Sequence, residues 1–240
     1  MATLYVVATP IGNLEDITHR AIRIFSETNV LACEDTRMTR RIFDRYEIER
    51  PRTMFSYHEH NEERAGSRIL GLLLEGTDVA MCSDSGCPGV SDPGYRIIRD
   101  CRDAGHEVDV LPGPTAVTTS LLASGLSTSS FTFKGFPPRK SGPRKRFLAQ
   151  DLDSPHTQII YESPYRIGKL LVDAFEVLGD RQAAVCIELT KKFERVERGY
   201  LGDLARDFTD CKVKGEICLV ISGNNPKFCR KSGGECVDDT

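Results

Sequence analysis

The 240-residue sequence contains no G-x-G-x-x-G run and no G-x-x-x-x-G-K-[ST] run. The Rossmann dinucleotide fingerprint and the P-loop are therefore excluded as the basis of a ligand site. Its nine cysteines include no C-x-x-C pair, and the HEH at 58–60 lacks the i, i+4 spacing of a helical metal pair. Neither a zinc site nor a disulfide framework is expected. No apolar run approaches the ~18 residues of a membrane span. The opening MATLYVVATPIGN has no basic residue ahead of its apolar stretch and no A-x-A-like cleavage site, so it reads as a first strand rather than a signal peptide. The net charge of −3 gives no global attraction to nucleic acid. No internal repeat is visible. These absences lead us to expect a cytoplasmic protein with no membrane partner.

What is present is ordinary in bulk and specific in detail. Hydrophobic residues make up 40% and charged residues 28%, the balance of a globular chain long enough for one large or two small domains at ~150 residues each. Short β-rich runs alternate with helical patterns through the first half. Strands are expected at Leu4–Thr9, Asn29–Cys33, Thr53–Tyr57, Asp78–Cys82 and Glu107–Leu111, with helices at Asp16–Glu27, Met38–Tyr46, Glu62–Glu75, Gly94–Gly105 and Thr115–Ser124. This alternation predicts a largely parallel α/β sheet with its functional loops at the strand C-terminal ends. The second half differs. Strands at Phe131–Phe136, Gln158–Glu162, Ala183–Glu188, Glu194–Tyr200 and Ile217–Ser222 include one consecutive pair without a helix between them, which predicts a mixed sheet. Helices are expected near Arg144–Asp151, Pro164–Leu178 and Leu201–Phe208. We expect domains at 1–124 and 125–223, then a loose polar tail at 224–240. Cys33, Cys82, Cys101, Cys186 and Cys218 sit in apolar or amphipathic runs, where a free thiol acts as a small hydrophobe.

Each first-half strand runs into a marked loop: TPIGN, EDTR, HEHNE, SDSGCPG and LPGPT. Parallel strands would gather all five along one edge and imply a cleft there. The segment 83–94, SDSGCPGVSDPG, is the most unusual. Its glycines allow close backbone approach, its prolines remove donors and fix direction, and Asp84 adds a negative charge where an amino group or ribose hydroxyl could sit. The same composition also suits a tight surface turn with no ligand.

In order and spacing, LYVVATPIGNLEDIT (4–18), EDTR (34–37), HEHNE (58–62), SDSGCPGVSDPGY (83–95), LPGPT (111–115), YESPYR (161–166), ELTK (188–191) and KGE (214–216) resemble the ribosomal RNA small subunit methyltransferase I family of the tetrapyrrole methylase superfamily. The resemblance spans residues 3–223. It implies two α/β domains of the class III type, an active cleft that holds S-adenosylmethionine (SAM), a homodimer, and 2′-O-methylation of a cytidine in the decoding region of small-subunit (16S) rRNA, naked or in the assembled subunit. By position it carries cofactor contacts to Pro10, Asp84, Ser85, Gly86, Cys87, Pro88, Thr115, Ala116, Tyr161, Leu189 and Gly215. The family loop usually reads D-A-G-T-P. Here Ser85 and Cys87 replace Ala and Thr; Cys and Thr are similar in size, so the cradle is expected to survive, with a hydroxyl contact at 87 lost.

Methyl transfer from a sulfonium is an in-line displacement that gains from alignment, and a weakly acidic ribose hydroxyl gains from a nearby base. The cleft loops offer Glu34, Asp35, Arg37, His58, His60, Asn61 and Glu62. Glu34 or Asp35 is expected to orient the hydroxyl, with His58 or His60 assisting. Asp35 could equally cap the helix that follows it, and the histidines could simply satisfy loop hydrogen bonds. The segment 134–146, KGFPPRKSGPRKR, has six basic residues, no acid and an aromatic, the make-up of a surface that tracks an RNA backbone. Lys134, Arg139, Lys140, Arg144, Lys145 and Arg146 are its candidate phosphate contacts, extended by Arg37, Arg40 and Arg41. A solvated loop beside a helix is the alternative. YESPYR also reads as a strand end and helix start with Pro164 at the first helical position. Competing functions are a C-methyltransferase acting on a precorrin-type tetrapyrrole, a non-catalytic SAM- or RNA-binding module and, more remotely, a metal hydrolase using HEH.

Overall fold

The computed structural model describes residues 2–209 and 211–230. The chain forms two compact units that divide between Thr115 and Ala116.

The first unit contains strands β1 (Thr3–Val7), β2 (Val30–Cys33), β3 (Thr53–Ser56), β4 (Val79–Cys82) and β5 (Glu107–Leu111), and helices α1 (His19–Glu27), α2 (Thr36–Arg45), α3 (Glu62–Leu74) and α4 (Tyr95–Asp103). The strands form one sheet in the order β3-β2-β4-β1-β5, and every pairing is parallel. Apolar residues face both ways from the central strands, as a sheet covered on two sides requires. Leu4, Val6, Ala32, Val79 and Met81 pack with Ala65, Ile69, Leu73 and Ile97 of α3 and α4. Val7, Leu31, Cys33, Ala80 and Cys82 pack with Ala21, Ile24, Phe25, Ile42 and Phe43 of α1 and α2. Helix α1 starts later than its apolar pattern suggests. Leu14–Asp16 forms a 3-10 turn, and the Thr18 side chain caps the helix by accepting the Ala21 N–H.

The second unit begins with α5 (Ala116–Ser124) and continues through β6 (Phe131–Phe133), α6 (Ser141–Ala149), β7 (Thr157–Glu162), α7 (Ile167–Leu178), β8 (Gln182–Ile187), β9 (Arg195–Tyr200), α8 (Leu201–Thr209) and β10 (Ile217–Ile221). Its sheet order is β6-β7-β10-β8-β9. Only β6–β7 is parallel, which makes the sheet mixed. Ile160, Val185, Ile187, Leu219 and Ile221 pack against α6, α7 and α8. The other face carries α5, where Ser120 takes the Cys218 thiol on its hydroxyl at 3.0 Å and the Cys186 thiol on its carbonyl at 3.7 Å. Those bonds group α5 with the second unit, whereas the sequence placed the boundary after Ser124.

Helix α7 starts at Ile167 with Arg166 at its N-cap, so Pro164 belongs to the preceding turn and not to the first helical position. The segment 224–230, expected to be loose, is docked. The Arg230 N–H donates to the Asp180 carbonyl at 2.8 Å, and its guanidinium pairs with Asp203 at 2.5 Å. The remaining tail, 231–240, lies outside the described residues. Among the described residues no helix is long and apolar enough to cross a membrane.

Candidate functional site

Parallel pairing places all five first-unit loops at the same sheet edge, in the order set by the strands. The loop after β4 is central and is stitched to its neighbours on both sides. Toward β1, Thr9 and Gly86 exchange two main-chain bonds, Thr9 N–H to Gly86 O at 2.9 Å and Gly86 N–H to Thr9 O at 3.0 Å. The Thr9 hydroxyl adds a third, to the Ser83 carbonyl at 3.0 Å. Gly86 turns at φ +80°, a conformation open to glycine at little cost. Toward β2 the bonds are again reciprocal. The Asp35 N–H donates to Asp84 Oδ1 at 2.9 Å, and the Asp84 N–H donates to Glu34 Oε2 at 3.2 Å.

This interlock brings Glu34, Asp35 and Asp84 together with distinct electrostatics. Asp35 is the N-cap of α2. It accepts the Arg37 N–H at 2.8 Å and pairs with the Arg37 guanidinium at 2.6 Å. Hydrogen bonding from the Arg37 side chain, then from its main-chain N–H, lowers its carboxyl to about 2. Burial raises the Asp84 carboxyl; the Asp35 N–H opposes this, and the charges of Glu34 and Asp35 add to it. Glu34 Oε1 and Asp84 Oδ2 have no hydrogen-bond partner among the described residues.

On the far side of β2, Tyr57 continues β3 by donating its N–H to the Cys33 carbonyl at 2.8 Å. The histidine turn follows. Asn61 organises it, accepting the His58 N–H at 2.9 Å and donating to the Ser56 carbonyl at 2.9 Å. The His58 and His60 rings meet edge to face at 6.0 Å, and His58 Nδ1 is buried without a partner. An open groove of about 510 Å³ runs beside this turn, lined by residues that include His60, Arg64 and Arg96. At the opposite edge of the β4 loop the Cys87 thiol donates to the Pro114 carbonyl at 3.6 Å, so the thiol makes a polar contact of its own. Burial raises this thiol above its ordinary value. Pro10 is buried in the loop after β1, Pro88 is buried in the β4 loop itself, and Ser85 is half-buried. Thr115 closes the first unit, and Ala116 opens α5.

In the second unit, Tyr161, Leu189 and Gly215 share one end of the sheet. Tyr161 pairs with Cys218, and Ile187, two residues before Leu189, pairs with Ile217, two residues after Gly215. Tyr161 packs edge to face with Phe133 at 4.8 Å and Phe136 at 5.6 Å. The corner is locked by Lys191, which bonds Glu188 and Glu216 at 2.9 Å each. Glu188 lies across Gly215, where a Cβ would stand 2.3 Å from it.

The basic segment is not one surface. Arg144 is buried and paired with Asp173 at 2.6 Å, and it also donates to the Arg139 carbonyl at 3.1 Å. Lys134 is buried against the Phe147 ring, donating to the Phe147 carbonyl at 2.8 Å and pairing with Asp151. Both are withdrawn as phosphate contacts, because their charges are already neutralised in the interior. Lys145 is half-exposed and pairs with Glu176. Arg139, Lys140 and Arg146 are exposed, as are Arg37, Arg40 and Arg41 on α2. The signal for Arg144 was Asp173, which falls on the apolar face of KLLVDAFEVL together with Leu170 and Ala174, and whose burial demands a cation.

The chain matches the family model Tetrapyrrole (Corrin/Porphyrin) Methylases over residues 3–205. A curated relative, Ribosomal RNA small subunit methyltransferase I of Halalkalibacterium halodurans, is 44% identical over 225 residues, which cover 94% of this chain and 77% of the relative. The protein of the same description from Thermotoga maritima is 41% identical over 224 residues, covering 93% of this chain and 99% of the relative. Uroporphyrin-III C-methyl transferase from Thermus thermophilus, solved with S-adenyl homocysteine, shares the fold at a TM-score of 0.64 and 18% identity, with 92% of this chain and 97% of that chain covered.

Proposed function

The chain belongs to the ribosomal RNA small subunit methyltransferase I family of tetrapyrrole methylases, and from that premise we propose that it methylates the ribose 2′-hydroxyl of a cytidine in the decoding region of small-subunit (16S) rRNA, using SAM. The observation that carries this reading is the reciprocal bonding of Glu34 and Asp35 with Asp84, which attaches a carboxylate pair directly to the proposed cofactor loop. The residues suit this cofactor. Gly86 puts no side chain into the turn, and the negative charge of Asp84, Glu34 and Asp35 complements a sulfonium and an amino group. SAM supplies an activated methyl group for in-line displacement by an oxygen nucleophile.

Pro10, Asp84 to Pro88, Thr115, Ala116, Tyr161, Leu189 and Gly215 are the residues we assign to the cofactor. Asp35 holds the start of α2 and its Arg37 partner, so proton transfer falls to Glu34. Its unpartnered Oε1 is the atom assigned to accept the proton from the hydroxyl as the oxygen attacks. His58 and His60 orient the ribose from the adjacent turn. Arg37, Arg40, Arg41, Arg139, Lys140, Lys145 and Arg146 serve as phosphate contacts. The protein is assigned to the cytoplasm and to a homodimer; sedimentation that finds monomers alone would contradict the dimer.

The test incubates the protein with methyl-labelled SAM and either naked rRNA or assembled small subunits, both from cells that lack this methylation, followed by nuclease digestion and nucleoside analysis. Label in 2′-O-methylcytidine supports the reading, and the better substrate identifies the maturation stage. Cofactor binding without label in either RNA refutes it and turns attention to a tetrapyrrole acceptor or a binding module. Glu34→Gln should abolish most turnover and Asp35→Asn should lower it less; two fully active variants would remove the carboxylate assignment.

A further inference from the structure

One contact outside the residues assigned above joins the histidine turn to the far end of the β4 loop. The hydroxyl of Tyr57, a buried residue, donates to Glu62 Oε1 at 3.0 Å, and the same oxygen accepts the Gly94 N–H at 3.3 Å. Glu62 Oε2 lies 3.8 Å from Arg96. Burial, then the bond and charge of Glu62, raise the Tyr57 phenol far above its usual value, so it remains a donor. A single carboxylate oxygen thus ties the loop that carries His58 and His60 to the loop that carries Asp84 to Pro88. The stretch 84–88 has separate anchors in the Thr9–Gly86 exchange.

Resting on the reading given under Proposed function, we propose that Glu62 is a positioning residue, which holds the acceptor-side turn in register with the cofactor loop. Its effect runs through His58 and His60, since alignment of donor and acceptor dominates a displacement of this type and a shift near 1 Å can cost about a hundredfold. Because the anchors of residues 84–88 are independent of Glu62, its loss should fall on kcat and leave the KM for SAM in place.

The experiment compares Glu62→Ala, Glu62→Gln and Tyr57→Phe in methyl-transfer kinetics at saturating RNA, with rates normalised to folded protein by circular dichroism melting. Glu62→Ala is expected to lower kcat about ten- to a hundredfold. The KM for SAM should change by less than about threefold, the scale of one weakened hydrogen bond. Gln keeps a carbonyl oxygen that can accept both bonds, so Glu62→Gln should recover most of kcat, and Tyr57→Phe should fall between the two. An Ala variant that melts earlier but turns over normally per folded molecule would overturn the proposal, as would a rise in KM at constant kcat. A wild-type protein with no turnover on any RNA would instead sink the acceptor reading. Amide hydrogen exchange would then decide the latch itself: faster exchange across 57–61 and at Gly94 in the Ala variant, restored in the Gln variant, supports it, and unchanged exchange refutes it.

Discussion

Gly113 offers a direct test of how the site loops are held. A Cβ at this position would stand 2.7 Å from the Cβ of Ala8, against ~3.5–4.0 Å for relaxed carbon contact. Both atoms are one bond from the main chain, so no flexible side-chain end can yield. The TPIGN and LPGPT loops must separate by about 1 Å instead. Gly113→Ala should therefore carry an overpacking cost of roughly 2 kcal/mol, a fall in Tm of about 4–8 °C for a chain of this size. The displacement pulls on Thr9 and Pro114, which bond the β4 loop, so affinity for S-adenosylhomocysteine should fall as well. Ala8→Gly alone should cost about 0.5–1 kcal/mol through backbone entropy. In the double variant the clashing pair is gone, and the loss should be smaller than that of Gly113→Ala alone plus that of Ala8→Gly, by at least about 1 kcal/mol of coupling. Thermal melts and calorimetric titration of the four proteins measure this. A double variant whose loss equals the sum of the two singles would refute the argument.

Asp84 predicts a trade between stability and binding. Its raised carboxyl pKa means that the fold binds this proton more tightly than the unfolded chain does, so the group favours folding below its unfolded pKa and that contribution is lost as pH rises through the higher, folded value. Asp84→Asn, which keeps an oxygen for the Asp35 N–H, should raise Tm at neutral pH while weakening cofactor binding. The stability difference should shrink as pH falls toward about 4, the ordinary carboxylate range; a difference that grows on acidification would reverse the sign of the argument. For the basic segment, Arg144→Ala should cost about 3–5 kcal/mol by stranding Asp173 in the interior, read by denaturant unfolding. Replacing Arg139, Lys140 and Arg146 with Ala should leave Tm unchanged, weaken RNA binding and flatten its salt dependence by about one slope unit for each phosphate no longer neutralised.

The order of strands and helices was legible because each element carries its own period: buried runs such as VLAC and VAMC for the central parallel strands, and apolar faces such as Ala21, Ile24 and Phe25 for the helices. Boundaries were less legible where a cap outweighs the pattern, as at Thr18 and Asp35. The loops at the sheet edge were legible because parallel topology dictates where they go. What each loop residue does depends on partners distant in sequence. Asp84 and Asp35 are 49 residues apart, and Arg144 and Asp173 are 29 apart. A window scanned for positive charge therefore put Arg144 on the surface, although the phase of α6 turns it inward together with Leu148. Glu62 escaped assignment for the same reason, since its link to Gly94 spans 32 residues.

The Thr9–Gly86 exchange has a bearing on sequence drift. Ordinary parallel neighbours do not trade bonds residue for residue, yet these two loops do so just beyond β1 and β4, and they use only atoms that nearly every amino acid possesses. Gly86 is held to glycine by its backbone angle, but the residues on either side of it are released from closing the turn. The bonds that close the turn are main-chain to main-chain, so substitutions at 85 and 87 remove neither of them. What those side chains touch can then change one substitution at a time, while the main-chain exchange between Thr9 and Gly86 stays in place.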